Sequence, residues 1–289
     1  MTVEENNVHR RYIGRIIRAA RLYYGITQNE LAEILNVNQS TISKIEQGYL
    51  EPGISGWHQF LEKTRIKNIE CFKTGYIDIP AIDLEVHSSN NTIKIGALKL
   101  HKNYAIDKSI TVRKVVPLIE YLNAQKGEKI FHEFVISKGM KPEYFYILNN
   151  PLNSVFESDL CTLVMRTTNL RNCNSLKGVS NVNFHGSIGS RYKQASKPAH
   201  LLEQFVKKQK QYLLNYDYGL GYNDIGISIE VKRNEDLTKS SLIDHTALEL
   251  MDSYNFYFPF NLQLNTKKPY QIASEQYFEG RVARLELMS

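Results

Sequence analysis

The segment TQNELAEILNVNQSTISKIEQG, residues 27–48, constrains the fold of this chain more than any other feature. Thr27, followed three positions later by Glu30, forms a capping box, which predicts a helix that begins directly after the threonine. Asn36 suits the left-handed backbone common at helix ends, and Asn38 can cap a second helix that begins directly after it. The pattern therefore predicts two short helices joined by one tight turn.

The second predicted helix has a short outer face that is polar and nearly free of acid. Only Ile42 and Ile45, three positions apart, can point inward. The remaining positions lie on or near the outside, and they are Gln39, Ser40, Thr41, Ser43 and Lys44. Taken alone, this pattern fits either a solvated helical hairpin or a surface that recognises a partner.

The motifs RLYYGITQNELA, STISKIEQG and EPGIS follow one another in an order that resembles the helix-turn-helix of the phage-repressor or XRE family, over about residues 13–73. The resemblance implies that the second helix enters the major groove of double-stranded DNA. It also implies that Gln28 meets a phosphate at its helix N-terminus. The predicted DNA-contacting residues are Arg18, Gln28, Asn38, Gln39, Ser40, Thr41, Ser43 and Lys44.

The chemistry of these side chains agrees with the resemblance. A glutamine amide can pair bidentately with adenine, hydroxyls suit either base type, and lysine can reach guanine or phosphate. The family also often pairs an arginine of its first helix with a glutamate that ends the third, here Arg21 and Glu46, which we expect to form a structural pair. Asn36 stands where the family commonly has glycine, but asparagine tolerates the same backbone.

Arginines accumulate near the start of the chain, at Arg10, Arg11, Arg15, Arg18 and Arg21. No acidic residue lies between Val8 and Gly25, so a helix formed by this segment could lie along DNA phosphates. An ordinary solvated helix face is the alternative. Net charge does not locate the DNA site, because residues 1–65 carry +1 of the total of +6 and the remainder carries +5.

The chain of 289 residues has room for two domains. We expect an α+β protein, in which an all-α five-helix domain at residues 8–73 precedes a larger mixed domain at residues 74–289. Strands are predicted for YIDIPAIDLEV and TIKIGALKL, which would pair as a hairpin, and for DIGISIEVKR and SYNFYFPFNLQL. YQIASEQY and RVARLEL predict a second hairpin. Helices are predicted at residues 111–126, 128–138, 153–168 and 198–214. Pro117 lies inside the first of these, which predicts a kink or a helix that begins nearer the proline.

No catalytic or metal site emerges from the sequence. HEFVI at His132 begins like a zinc-protease helix, but the position of the second histidine holds Ile136. Cys71, Cys161 and Cys173 are too few and too irregular for a disulfide framework or a zinc site. We therefore predict no enzyme activity, no cofactor and no metal.

Two features of the larger domain have alternative interpretations. The basic run Lys207, Lys208 and Lys210 is either a second DNA contact or a solvated helix face. Many tyrosine and phenylalanine side chains, among them Tyr254 and Phe258, form either core or a pocket for a small amphipathic ligand. The residues that would bind such a ligand are not identifiable from the sequence.

The expected function is that of a sequence-specific transcription regulator. We expect a homodimer on a palindromic operator, with a small-molecule effector bound by the larger domain. The chain has no run of about 18 apolar residues and no apolar signal core, so it should lie in the cytoplasm without membrane contact. The alternatives are an enzyme tethered to DNA, and an antitoxin or protein-interaction module with a helix-turn-helix head.

Overall fold

The computed structural model of the protein describes residues 3–66, 71–79, 93–105, 108–168, 170, 180–224, 226–234, 242–264, 266, 268–278 and 282–288. The described helices are α1 (Val3–Tyr23), α2 (Gln28–Ile34), α3 (Gln39–Glu46), α4 (Ile54–Thr64), α5 (Cys71–Thr74), α6 (Lys102–Ala105), α7 (Val112–Lys126), α8 (Glu128–Ser137), α9 (Ser154–Thr168), α10 (Gly186–Lys193), α11 (Pro198–Lys208) and α12 (His245–Gln263). The described strands are β1 (Ile93–Ile95), β2 (Leu98–Leu100), β3 (Ile110–Thr111), β4 (Pro151–Leu152), β5 (Tyr216–Asn223), β6 (Gly226–Arg233), β7 (Gln271–Phe278) and β8 (Val282–Met288). Helices at the N-terminus followed by a mixed region confirm the predicted α+β class.

The chain forms two compact units. The first contains Met1–Ile106 and His132–Asn150, and the second contains Asp107–Phe131 and Pro151–Ser289. The boundary expected near residue 74 lies inside the first unit, and the assignment of domains to 8–73 and 74–289 stays a prediction.

Local sequence signals explain the start and end of α2. The side chain of Thr27 accepts a hydrogen bond from the Glu30 backbone N–H, and the Glu30 carboxylate accepts one from the Thr27 backbone N–H, so both halves of the predicted capping box are present. Asn36 adopts a φ of 51°, the left-handed backbone expected of it. Asn38 has the extended backbone of a cap before α3, but its side chain makes no capping hydrogen bond. The predicted cap is therefore wrong for this side chain.

A close helix crossing holds α1 against α3. Ile13, Ile16 and Ile17 of α1 are buried. Gly14 faces the end of α3 so closely that a Cβ atom built on it would lie 2.4 Å from the carbonyl oxygen of Ile45. Any larger residue would push the two helices apart, so this glycine sets the position of α3.

The segment TIKIGALKL forms a hairpin by itself rather than the single strand that we predicted. β1 pairs antiparallel with β2, and Gly96 has a φ of +55° at the turn between them. A Cβ atom on Gly96 would lie 2.2 Å from the carbonyl oxygen of Tyr23, so a side chain does not fit there. Residues 80–92, which include most of the predicted partner strand, lie outside the described residues.

The second unit contains an antiparallel four-stranded sheet in the order β5-β6-β8-β7. The predicted strands DIGISIEVKR and RVARLEL occur in it as β6 and β8, and YQIASEQY forms most of β7. SYNFYFPFNLQL, predicted as a strand, instead lies in α12, which begins after the capping residue Asp244 and continues through Pro259. The second half of this helix is buried on all sides, since buried residues follow one another from Tyr254 to Gln263, and its sequence therefore lacks a helical period.

The remaining predicted helices are present with modest changes. Pro117 lies inside α7, which begins at Val112 rather than near the proline. α11 ends at Lys208 and a short 3-10 turn follows, so the predicted extension to Leu214 is wrong. Within the described part of the chain, none of the helices has the length and apolar character needed to cross a bilayer.

Candidate nucleic-acid interface

The outer face of α3 lies opposite two buried isoleucines and carries the remaining side chains of the helix. Ile42 and Ile45 are 0% and 2% exposed and attach α3 to the other helices. The predicted contact residues on and beside α3 remain accessible: Asn38, Gln39, Ser40 and Lys44 are exposed, and Thr41 and Ser43 are half-buried. This face belongs to a single accessible helix, a shape that the DNA major groove, about 12 Å wide, admits.

A chain of hydrogen bonds links the interior of the helical domain to that face. The Arg21 guanidinium donates to both carboxylate oxygens of Glu46, at 2.5 and 3.1 Å. Gln28 Nε2 donates to Glu46 Oε2 at 2.9 Å, and Gln39 Nε2 donates to Gln28 Oε1 at 2.5 Å. Arg21 also donates to the carbonyl oxygen of Ile26 at 2.9 Å, which fixes the connection between α1 and α2.

The carboxylate of Glu46 is the centre of this chain, and its side chain is only 1% exposed. A hydrogen bond to a charged group contributes roughly 1.5–3 kcal/mol, about twice a neutral one. Glu46 therefore holds the amide of Gln28, and Gln28 in turn orients Gln39 at the start of α3. This chain of hydrogen bonds holds the side chains of Gln28 and Gln39 next to each other in the absence of DNA.

Arg18 has a different environment from the one predicted. Its Nε lies 2.6 Å from Glu143 Oε1, and the Glu143 side chain is 11% exposed against 48% for Arg18. Both residues belong to the first unit. A DNA phosphate would have to compete with this carboxylate, so the predicted contact of Arg18 with DNA remains a prediction.

Arg10 and Arg15 of α1 also have partners in the protein. Arg10 Nε lies 3.2 Å from Glu51 Oε1. Arg15 stacks over the ring of Tyr146, with its guanidinium carbon 4.3 Å from the ring centre. These contacts, with those of Arg18 and Arg21, favour a structural role for four of the five arginines over the interpretation that α1 lies along phosphates, whereas Arg11 is exposed.

Ser43 lies in the last turn of α3, where its Oγ accepts a hydrogen bond from Gln47 Nε2 at 3.1 Å. That contact holds Gln47 against the helix at its C-terminal end. Gln39, Ser40 and Thr41 occupy the first turn, the part of a recognition helix that contacts base edges. Base contacts are therefore expected from the first turn, with Lys44 one turn further along.

Residues 17–55 match the helix-turn-helix family model. The matched range includes the whole of α2 and α3, the turn at Asn36 and the Arg21–Glu46 pair. The protein therefore carries a helix-turn-helix domain, the reading head of a class of DNA-binding transcription regulators. No curated protein and no solved structure matches the chain.

The second unit contains a buried polar cluster that gave no signal in the sequence. Lys114 is fully buried, with its Nζ 3.7 Å from Glu157 Oε1 and 3.7 Å from the centre of the Tyr254 ring. Asn215 and Asn255 each donate a hydrogen bond of 3.0 Å to the Glu157 carboxylate. Burial lowers the pKa of Lys114 to about 7, although the charge of Glu157 raises it.

His185 lies near this cluster and is also fully buried. Its ring centre is 5.4 Å from that of Phe258, over which the Lys114 ammonium lies at 4.0 Å. Both ring nitrogens of His185 lack a hydrogen-bond partner among the described residues. Burial lowers the pKa of His185 well below its usual value, and the nearby charges of Arg113 and Lys114 lower it further.

Several aromatic residues considered for a pocket are buried here, including Tyr212, Tyr254 and Phe258. Cys71 and Cys161 are buried, whereas Cys173 lies outside the described residues. No group of histidine, cysteine and acidic side chains in the described part of the chain is arranged to hold a metal ion.

Proposed function

We propose that the protein is a dimeric, sequence-specific transcription regulator whose second unit senses a small effector. The observation that carries DNA recognition is the hydrogen-bond chain from Arg21 through Glu46 and Gln28 to Gln39. It holds an amide in a defined orientation on the exposed first turn of α3. Fixing that amide in advance lowers the entropy cost of contacting a base.

Each side chain of the first turn has a role in this proposal. The Gln39 amide pairs with an adenine through N6 and N7, a contact that discriminates against other bases by about 1–3 kcal/mol. Ser40 and Thr41 contact neighbouring base edges or phosphate, and Lys44 reaches guanine or phosphate. Gln28 contacts a phosphate, which sets the register of α3 in the groove.

Dimerisation follows from the small size of one reading head. A single recognition helix reads few base pairs, so two copies on a two-fold axis are needed to give a selective site. Their half-sites would lie about 34 Å apart, or about 10 bp, on a palindromic operator.

Effector sensing is supported by the buried polar groups of the second unit. Both nitrogens of His185 have no hydrogen-bond partner among the described residues, and Lys114 Nζ has the ion pair with Glu157 at 3.7 Å but no hydrogen bond. An unsatisfied buried polar group costs about 1–3 kcal/mol, which a ligand or an ordered water molecule would offset. An effector would regulate DNA binding only if its affinity differed between two states of the dimer.

The same cluster is the observation that favours an enzyme tethered to DNA, since Lys114 beside Glu157 could serve as a base or nucleophile. Both side chains are 0% exposed, so a substrate or an effector would reach them only in a more open state of the second unit. We propose a binding role for the cluster rather than enzyme activity. A protein that co-purifies in stoichiometric amount would favour the interaction-module alternative, whereas a retained small molecule would favour sensing.

The test of DNA recognition is fluorescence anisotropy with a duplex obtained by selection. We expect Gln39→Ala to weaken binding to that duplex by about 5- to 150-fold, the equivalent of about 1–3 kcal/mol, with little effect on a scrambled duplex. Gln125→Ala is the matched control, because Gln125 is an exposed helical glutamine of the second unit. Equal affinity of the unmodified protein for selected and scrambled duplexes would contradict the proposal.

A further inference from the structure

Positive charge is concentrated in one short segment of the second unit. Residues 186–210, which form α10, α11 and the turn after it, contain the six cationic residues Arg191, Lys193, Lys197, Lys207, Lys208 and Lys210. Glu203 is the one acidic residue among them, which leaves a net charge of +5. The whole chain beyond residue 65 carries the same excess, so this segment accounts for all of it.

Helical spacing places part of this charge on one side of α11. Leu201, Leu202 and Phe205 are buried and attach α11 to the second unit. Lys207 and Lys208 follow the turn that holds Glu203 and Gln204 at steps of three or four residues, so these side chains share the accessible side. Lys207 is exposed and Lys208 half-buried.

An open polar cleft continues this side of α11 toward the end of α10. Its volume is about 550 Å³, and it is lined by Arg191, Gln194, Ala195, His200, Glu203 and Gln204. Guanidinium, imidazole and amide groups supply N–H donors in the cleft, the groups that contact phosphate oxygens in protein–DNA complexes. We call the cleft together with Lys207 and Lys208 the basic face.

The cations of the basic face lack an ion-pair partner within the described part of the chain. Arg191, Lys207 and Lys208 form no ion pair with any residue that the structure describes. The carboxylate of Glu203 accepts a hydrogen bond from the Tyr222 hydroxyl. Lys210 lies 3.9 Å from Asp217, but both side chains are about 70% exposed, so this pair contributes little.

We propose that the basic face binds the phosphate backbone of double-stranded DNA, as a second contact distinct from the base-reading face of α3. Unpaired cations at an accessible surface release condensed counterions when they meet phosphates, and this release drives binding without base specificity. The inference rests on the proposed DNA-binding function. The basic face would add affinity through phosphates that flank the bases contacted by α3.

The test is the salt dependence of DNA binding by full-length protein with Arg191→Gln, Lys207→Gln and Lys208→Gln combined. Each lost phosphate contact lowers the slope of log K against log salt by about 0.9. If two or three contacts are lost, the ratio of the DNA affinity of the unmodified protein to that of the variant should fall by about 10- to 40-fold between 50 and 200 mM salt. A long duplex centred on the selected site provides the flanking phosphates.

The control variant combines Lys126→Gln, Lys232→Gln and Lys268→Gln, which removes the same charge from exposed lysines of the second unit outside the basic face. We expect its salt slope to equal that of the unmodified protein. Thermal melting of both variants verifies that each is folded. An unchanged slope for the basic-face variant, or an equal change in the control, would overturn the inference.

The outcomes separate this inference from the proposed function. Preference for the selected duplex over a scrambled one, together with an unchanged slope in the basic-face variant, leaves sequence recognition by α3 intact and rejects the basic face. A reduced slope without any preference between duplexes supports the basic face and rejects sequence-specific recognition.

Discussion

Lys114 carries its charge in an unfavourable environment, because its ammonium group is enclosed by protein and lies 3.7 Å from the carboxylate of Glu157. Burial lowers its pKa from 10.5 to about 7, although the negative charge of Glu157 opposes the shift. The two rings over the ammonium, those of Tyr254 and Phe258, stabilise the charged form only partly. The protonation state of this one group should therefore affect the stability of the whole second unit.

We predict that the free energy of unfolding rises with pH between about pH 7 and 10 through Lys114. In this window the unfolded lysine keeps a proton that the folded one has lost, so the unfolded state binds more protons and stability increases with pH. The slope is at most about 1.4 kcal/mol per pH unit, and it should be absent in Lys114→Met.

Urea denaturation at pH 7, 8 and 9 measures this difference. Lys126→Met is the control, since Lys126 lies on the same helix but is exposed, and it should keep the slope of the unmodified protein. If the gap between Lys114→Met and the unmodified protein stays constant over these pH values, Lys114 keeps its proton when buried.

The sequence predicted some of these residue-level features and not others. Arg21 and Glu46 could be expected to pair from the spacing of the family motif. The bond between Gln28 and Gln39 depends on how two helices cross, which spacing alone does not define. Lys114 gave no signal either, since a lysine that follows an arginine in VRKVV is ordinarily taken as solvent-facing.

At the level of helices, the contact of α1 with α3 depends on Gly14. A Cβ atom there would lie 2.4 Å from the Ile45 carbonyl oxygen and 2.8 Å from that of Glu46. Both are backbone atoms, so the clash cannot be relieved by a side-chain rotation. We predict that Gly14→Ala destabilises the protein by about 1–3 kcal/mol, although alanine favours a helix by about 1 kcal/mol over glycine.

Gly56→Ala provides the contrast, because Gly56 lies in α4 and a methyl group added there would meet other atoms only at 3.8 Å or more. This variant should gain about 0.5–1 kcal/mol from helix propensity. Thermal and urea denaturation of both variants give the comparison. Two variants of equal stability would show that α1 and α3 are not in close contact at Gly14.

α12 shows why element type was harder to predict in the second unit. Its aromatic segment is buried on nearly every side, so neither the helical nor the strand period is visible in it. Neither Pro259 nor the scarcity of β-branched residues in the aromatic run indicated clearly whether this segment is a helix or a strand. Its burial depends on the neighbouring helices α9 and α11, which pack over it. The strand β6 was predictable because buried and more accessible side chains alternate along it, which preserves the period of two in the sequence.

For the whole molecule, the order of elements along the chain does not follow the two compact units. Residues 132–150 return to the first unit after the chain has already entered the second. Local patterns cannot show such a return, since it depends on contacts between residues far apart in sequence. The sequence did predict the general succession of elements, namely five N-terminal helices followed by a mixed region of helices and strands.

A dimer makes a prediction about DNA spacing that a monomer does not. In a dimer, the two helix-turn-helix domains should bind half-sites about 10 bp apart on one side of the duplex. Inserting about 5 bp turns one half-site to the opposite side, so only one head can then engage its half-site. Because the second contact is intramolecular once the first has formed, its loss should weaken binding by about 100-fold or more.

Anisotropy with the original duplex, with the duplex lengthened by about 5 bp, and with a single half-site measures this effect. The lengthened duplex and the single half-site should bind with similar affinity, and sedimentation should show two protein chains on the original duplex. Gln39→Ala should weaken binding to all three, because it acts on each reading head separately. Equal affinity for the original and lengthened duplexes would mean that the heads act independently, and the proposal of a dimeric reader would then fail.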